Sequence, residues 1–269
     1  MKFGLVVRNM GPQSTAETMA ACADAAEAFG FDDLWVVDHV AIPPDDAEGS
    51  EGRYLDPLTS LAWLAGRTAR IGIGTAILNL PYRPALPTAK QVATLQELSG
   101  GRLRLGVGVG WMKPEFKALG IDRGQRGRLT DEVLESFHRW FSEDETEANG
   151  QPFLFRPRPT RPPLYVGGGS EAALRRAARF GDGWLPMGSD PAALAEPIAR
   201  LRELEAEHGR EPLEVIAMGG LPLSDPARCR DQLAELAALG VTRFASGGRY
   251  ADAAEFRATA ERLRSVVDG

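Results

Sequence analysis

"PLYVGGGSEAALRRAARFGDGWLP" occupies Pro163–Pro186. Leu164–Val166 is apolar and β-rich and reads as a strand. Three glycines follow, Gly167 to Gly169, and Glu171–Phe180 then reads as a helix. Gly183–Leu185 is a short strand again. A strand that reaches the next strand through a helix implies parallel pairing with a helical crossover.

Working outward from that unit, the same alternation fills the chain. Lys2–Val7 is a strand, and Ser14-x-x-Glu17 is a capping box opening a helix through Phe29. Leu34–Val37 is the second strand, and Asp56-Pro57 starts the next helix. Arg70–Ala76 is the third strand, and Ala85–Leu98 is a helix stopped by Gly100-Gly101. Leu103–Val107 is the fourth strand, and the helix after it carries Leu129, Val133, Phe137 and Trp140 at core-facing spacing. Past the opening unit, Asp190-Pro191 caps a helix to about His208, and Leu213–Ala217 is the seventh strand. Asp225-Pro226 caps a helix through Leu239, Thr242–Ser246 is the eighth strand, and Asp252-x-x-Glu255 boxes the last helix. Eight such units in 269 residues predict a single-domain α/β fold over residues 1–269, a closed (β/α)8 TIM barrel. The Pro- and Arg-rich stretch Asn149–Pro163 reads as an insertion before the fifth strand.

A net charge of −6 argues against nucleic-acid and anionic-membrane surfaces. No apolar run is long enough for a membrane span or signal segment. The two cysteines, Cys22 and Cys229, lie far apart and suit helices in a reducing cytoplasm. No metal-ligand spacing occurs.

In a (β/α)8 barrel the active site lies beyond the C-terminal ends of the strands. There "DLWVVDHVAIPP", Asp33–Pro44, places Asp38 and His39 at the end of an apolar strand, on a rim where neither need be buried. Histidine can give or take a proton near neutral pH, so His39 is the candidate catalytic residue. His138 and His208 fall inside helical patterns and read as packing or surface residues. Gly167, Gly168, Gly169 and Ser170 precede a helix, where free amides suit a phosphate. Gly106, Gly108 and Gly110 alternate at the end of the fourth strand, a spacing that lets a flat ring approach the backbone. No nucleophile elbow, HExxH, P-loop or dinucleotide fingerprint occurs. The residues alone thus reach a planar, phosphate-bearing cofactor in a metal-free barrel.

Several stretches resemble the bacterial luciferase-like superfamily, in particular its coenzyme F420-dependent oxidoreductase branch: "LWVVDHV", "GIGTAILNLPYRP", "LSGGRLRLGVGVGWMKPEFKALG", "RGRLTDEVL" and the opening stretch. They run in order through most of residues 1–190. The resemblance implies a cofactor ring in the barrel mouth, with Asp38 and His39 beside it. It implies a bulged third strand with a non-prolyl cis peptide, mapping to Ala76-Ile77, behind the ring. Gly108, Val109 and Gly110 would line the cofactor, and Gly167–Ser170 would hold its phosphate. Trp111 and Met187 would border a small-molecule substrate. The branch's sugar-phosphate dehydrogenases carry a Glu where Val109 or Gly110 stands here, which argues against sugar oxidation. The chain is also short for the family, which suggests an open mouth. The expected function is F420-dependent hydride transfer, in a cytoplasmic homodimer paired through helix faces such as that of Phe137 and Trp140. The alternatives are an FMN-dependent monooxygenase and a non-catalytic flavin-binding protein.

Overall fold

The computed structural model describes residues 1–269. The elements are β1 (Lys2–Val6), α1 (Ala16–Ala28), β2 (Asp33–Val36), α2 (Pro57–Arg67), β3 (Gly72–Asn79), α3 (Ala85–Leu98), β4 (Leu103–Gly108), α4 (Lys113–Ala118) and α5 (Arg126–Ser142). They continue as β5 (Glu145–Ala148), β6 (Gln151–Leu154), β7 (Leu164–Gly167), α6 (Glu171–Phe180), β8 (Gly183–Leu185), α7 (Pro191–Glu207), β9 (Glu214–Gly219), α8 (Pro226–Ala238), β10 (Arg243–Ser246) and α9 (Ala253–Asp268). Eight parallel strands close in the order β1-β10-β9-β8-β7-β4-β3-β2. The expected barrel is therefore present.

Strand alternation divides the apolar residues into two layers. Phe3, Leu5 and Val7 face the helices and join the large outer core. Val6, Trp35, Tyr165, Leu185 and Met218 face inward and fill the barrel. Below them, at the N-terminal ends of the strands, buried Asp33 pairs with Arg104 and Arg243, and Tyr165 donates to Glu214 at 2.6 Å. Charges this buried persist only when paired. The network closes the barrel floor, so a ligand has to enter from the C-terminal rim.

Several local expectations are corrected. Ser14 does not cap α1; it is buried, donates to Gly11 O at 2.7 Å and accepts from Arg53 at 2.8 Å. Thr15 caps the helix instead, accepting from Thr18 N. The third strand runs later than expected, to Asn79, with a register shift between Thr75 and Leu78 and a cis Ala76–Ile77 peptide. The stretch Asn149–Pro163 begins inside a hairpin, β5–β6, turning at Asn149-Gly150 with φ of 53° and 75°. That hairpin covers the end of α5, where Trp140 stacks 6.3 Å from Phe155. Phe137 and Trp140 are consequently buried in this chain's own core, at 0% and 3% exposure. They cannot form the expected dimer face. Asp38, read as a rim residue with no need of burial, is buried at 3% exposure.

Candidate active site

Asp38 and His39 follow β2 after Val37, but their side chains part company. The Asp38 carboxylate takes a two-pronged bond from Arg83, at 2.7 and 2.8 Å, and a third from Asn79 N at 2.8 Å. Asn79 returns a bond from its side-chain amide to Asp38 O at 3.1 Å. Both oxygens are thus spent tying the end of β2 to the end of β3. Of the two roles open to Asp38, orienting the loop or touching a cofactor ring, these bonds show the first: it anchors the loop that carries His39.

His39 keeps 17% side-chain exposure on the rim. Its ring meets Tyr54 and Trp111 edge-on, at centroid distances of 5.0 and 6.0 Å. Its Nδ1 lies 2.9 Å from Glu115 Oε2. Glu115 comes from α4, the short helix that Pro114 opens after β4. It is completely buried. Its Oε1 accepts from Val40 N at 2.6 Å and Ala41 N at 3.0 Å, and Oε2 also accepts from Tyr82 Oη at 3.0 Å. Burial pushes this carboxyl up, but the bonds from His39 and from the two backbone amides outweigh it and hold it down at about 2. Burial and the same carboxylate push the Tyr82 phenol up. Glu115 is therefore an anion and Tyr82 a neutral donor. An acceptor on Nδ1 fixes the neutral His39 as the Nδ1–H tautomer, and Nε2 makes no hydrogen bond within the chain.

Glu115, Tyr82, Arg83 and Asn79 escaped the sequence reading. Each lies inside a stretch that carries the family resemblance, but no spacing in the chain ties Glu115 to His39, 76 residues away.

The glycines also divide by role. A Cβ on Gly108 would run into the Ile77 side chain, and one on Gly167 would sit 2.8 Å from Ile77 Cγ2. At both positions glycine admits Ile77 of the bulged strand. Gly110 lies at φ +72°, and a Cβ there would meet Tyr82 and Phe116 at 3.0 and 3.1 Å. Val109 is half-buried beside them. The structure therefore brings Ala76, Ile77, Gly108 and Gly167 into one small-residue floor with Ile77 at its centre. Gly168 and Gly169 behave differently, because a Cβ at Gly169 would meet nothing within 4 Å. Gly168 O accepts from Trp184 Nε1 at 2.7 Å, which pins the loop. Ser170 caps α6, accepting from Ala173 N at 3.3 Å. The amides of Gly169, Ser170, Glu171 and Ala172 make no hydrogen bond within the chain. Such a cradle fits a phosphate.

Trp111 and Met187 both stand on the rim, 65% and 72% exposed. Trp111 leans on His39; Met187 lies apart, after β8. No group of three metal-binding side chains is present.

A family model described as luciferase-like monooxygenase matches residues 1–265. The chain belongs to the luciferase-like monooxygenase family. This luciferase-like chain is 32% identical over 288 residues to an uncharacterized protein of Mycobacterium tuberculosis, covering 99% of each. It is 30% identical over 189 residues to an FMNH2-dependent dimethylsulfone monooxygenase of Pseudomonas fluorescens, covering 67% of this chain and 50% of that one. Its luciferase-like barrel matches a solved F420-dependent secondary alcohol dehydrogenase with TM-score 0.82 and 16% identity, covering 99% of this chain and 98% of that one. A monooxygenase from Streptomyces bottropensis matches with the same TM-score, at 20% identity and the same coverage. At these identities the solved structures speak to the fold. Members of the family are oxidoreductases, and luciferase-like neighbours include both F420- and FMN-dependent enzymes.

Proposed function

We propose that this chain is an F420-dependent oxidoreductase acting on a small organic molecule, with His39 as its proton-transfer residue. The observation that carries the reading is the Glu115–His39 pair. A buried anion holds one ring nitrogen, and the other is left without a partner on the rim where ligands bind. The bound deazaflavin would supply hydride chemistry, which no side chain here can perform. The protein's part is placement and proton handling. Ile77, backed by Gly108 and Gly167, would support the ring. The free amides from Gly169 to Ala172 would bind its phosphate. Val109 and Gly110 would border the ring, and Trp111 and Met187 the substrate. Asp38 keeps the His39 loop in register through Arg83, and His39 Nε2 would take or give the substrate's proton.

F420 is preferred over FMN on the sequence resemblance alone, since a monooxygenase and an F420-dependent dehydrogenase match the barrel with the same TM-score and coverage. The FMNH2-dependent relative favours the FMN monooxygenase reading, but this chain spans only half of that protein. No helix is long and apolar enough to cross a membrane. The two buried free thiols fit a reducing cytoplasm. Exposed Trp63 on α2 and Leu98 on the adjacent α3 offer a dimer surface in place of α5.

Equilibrium titration with F420 and FMN tests the reading. F420 is expected to bind more tightly, and FMN binding at least tenfold tighter would overturn the F420 assignment. His39→Ala is expected to keep cofactor affinity and to slow turnover by about 10²–10⁴-fold. Parental turnover in that variant would remove His39 from the chemistry.

A further inference from the structure

Arg8 follows β1 on the catalytic rim, yet it is 93% buried, with only 7% of its surface exposed. Val6 faces the barrel interior while Leu5 and Val7 face the helices, so Arg8 continues the inward row. Its guanidinium makes one hydrogen bond, from Nη2 to Gly49 O at 3.0 Å. It forms no ion pair. Nε is buried with no partner at all. Nη1 also lacks a partner but is reached by solvent. The neighbouring Gln13 supplies no counter-charge, because its amide is neutral and its Oε1 is itself unpaired.

Elsewhere this chain pairs its buried cations. Arg243 has Asp33, and Arg83 has Asp38. A guanidinium removed from water without a counter-anion is destabilising. Arg243 Nε is also orphaned, but Arg243 has its counter-anion in Asp33; Arg8 alone combines an orphaned Nε with no counter-ion at all. A second cation stands nearby: Arg249, exposed and unpaired, places Nη2 3.8 Å from the Cβ position of the same Gly49. A cavity of about 240 Å³ opens beside it, lined by Val6, Ser246, Gly248, Arg249 and Tyr250 among others. Tyr250 Oη accepts from Arg8 N at 2.8 Å, so the cavity wall meets Arg8 through its backbone, while the guanidinium lies behind the lining. Asn9 in turn bonds Val37 through both side-chain atoms, which sets Arg8 one strand from His39.

We propose that Arg8 is an anion subsite of the barrel mouth, taking a carboxylate or phosphate group of the bound ligand, with Arg249 as its outer cation. Four of the five N–H groups are left for such a group, and Nη2 keeps one of them to form a fork with Nε or with Nη1, the geometry suited to two-pronged binding of a carboxylate or phosphate. The cofactor phosphate already has a proposed place at the amides after β7, across the barrel from β1, so the group assigned to Arg8 is an anionic group of the substrate; the cofactor phosphate is the rival source that the test separates.

Calorimetric titration of the full chain with inorganic phosphate and with benzoate, at ionic strength held constant with chloride, tests the subsite. The parent is expected to bind both saturably. Arg8→Met is expected to weaken both at least tenfold. Arg8→Lys keeps the charge but not the fork and should weaken them severalfold. Without added anion, Arg8→Met should melt at or above the parental temperature, because it removes an unpaired charge. Phosphate should raise the melting temperature of the parent and leave that of Arg8→Met unchanged. Riboflavin and FMN, which differ by the phosphate, separate the sources. Loss of the FMN preference in Arg8→Met assigns the anion to the cofactor; a retained preference with weakened benzoate binding assigns it to the substrate. No saturable anion binding by the parent, or equal affinity in Arg8→Met and the parent, would overturn the proposal. The anion titration is read without any cofactor, so it stands or falls apart from the F420 assignment.

Discussion

Glu115→Gln should damage this protein in two separable ways, and both follow from four hydrogen bonds. In the parent, Glu115 Oε1 accepts from Val40 N and Ala41 N, and Oε2 accepts from His39 Nδ1 and Tyr82 Oη. Glutamine has one acceptor oxygen. Placed toward the two backbone amides, it turns its NH2 toward His39 and Tyr82. His39 Nδ1 must then accept, the ring proton moves to Nε2, and the nitrogen facing the mouth can no longer take a proton. Loss of the correct tautomer in such a pair costs up to about 10⁴-fold in rate. The stability effect can be worked from the carboxyl itself. Held near 2 in the fold against an ordinary 4.5, it contributes about 3 kcal/mol at neutral pH. Because the folded value is the lower one, this contribution is complete above about pH 4.5 and drains away as pH falls toward 2. Urea unfolding at stepped pH should show Glu115→Gln less stable than the parent by about 1–3 kcal/mol at pH 7, since glutamine keeps some of the bonds. That gap should narrow in acid. Other carboxylates titrate alike in both proteins and cancel from the difference. Nitrogen-detected NMR of the chain's three histidines reads the His39 tautomer directly, with no substrate needed. A gap that stays constant from pH 7 to pH 3, or an unchanged Nδ1–H in Glu115→Gln, would refute this account.

Three further outcomes are expected. Gly168→Asp would set a carboxylate beside the free amides of α6 and strain a residue at φ +108°; cofactor affinity should fall sharply in a folded protein, and unchanged affinity would reduce Gly167–Gly169 to a turn. Gly108→Ala forces a methyl into Ile77 and should cost about 1–3 kcal/mol by chemical denaturation; a neutral result would show that Ile77 can move aside. Light scattering at micromolar concentration should give the mass of a homodimer, and Trp63→Lys on α2 should shift it toward monomer, while a monomeric parent would refute the assembly.

The barrel was legible because its signals are local. The units carry short apolar strands, four of the helices carry an Asp cap (Asp56, Asp190, Asp225, Asp252), several end at a glycine, and these signals need only a few neighbouring residues to act. The order of units then left parallel closure as the packing that buries every strand on both faces. The same local reading put His39 on the rim. The chain also contains a hairpin signal, Asn149-Gly150, but the flanking "ETEA" and "QPFL" segments lack the apolar alternation that would mark them as strands. What the tertiary structure alone decided is pairing over distance. Glu115 meets His39, Arg83 meets Asp38, and Ile77 fills the space opened by Gly108 and Gly167. These contacts depend on how far each rim loop reaches across the closed barrel and on a register shift within one strand. Neither is written in the spacing of residues along the chain. For the same reason an unpaired Arg8 is invisible in sequence: a buried charge lacks a counter-ion only relative to everything folded around it.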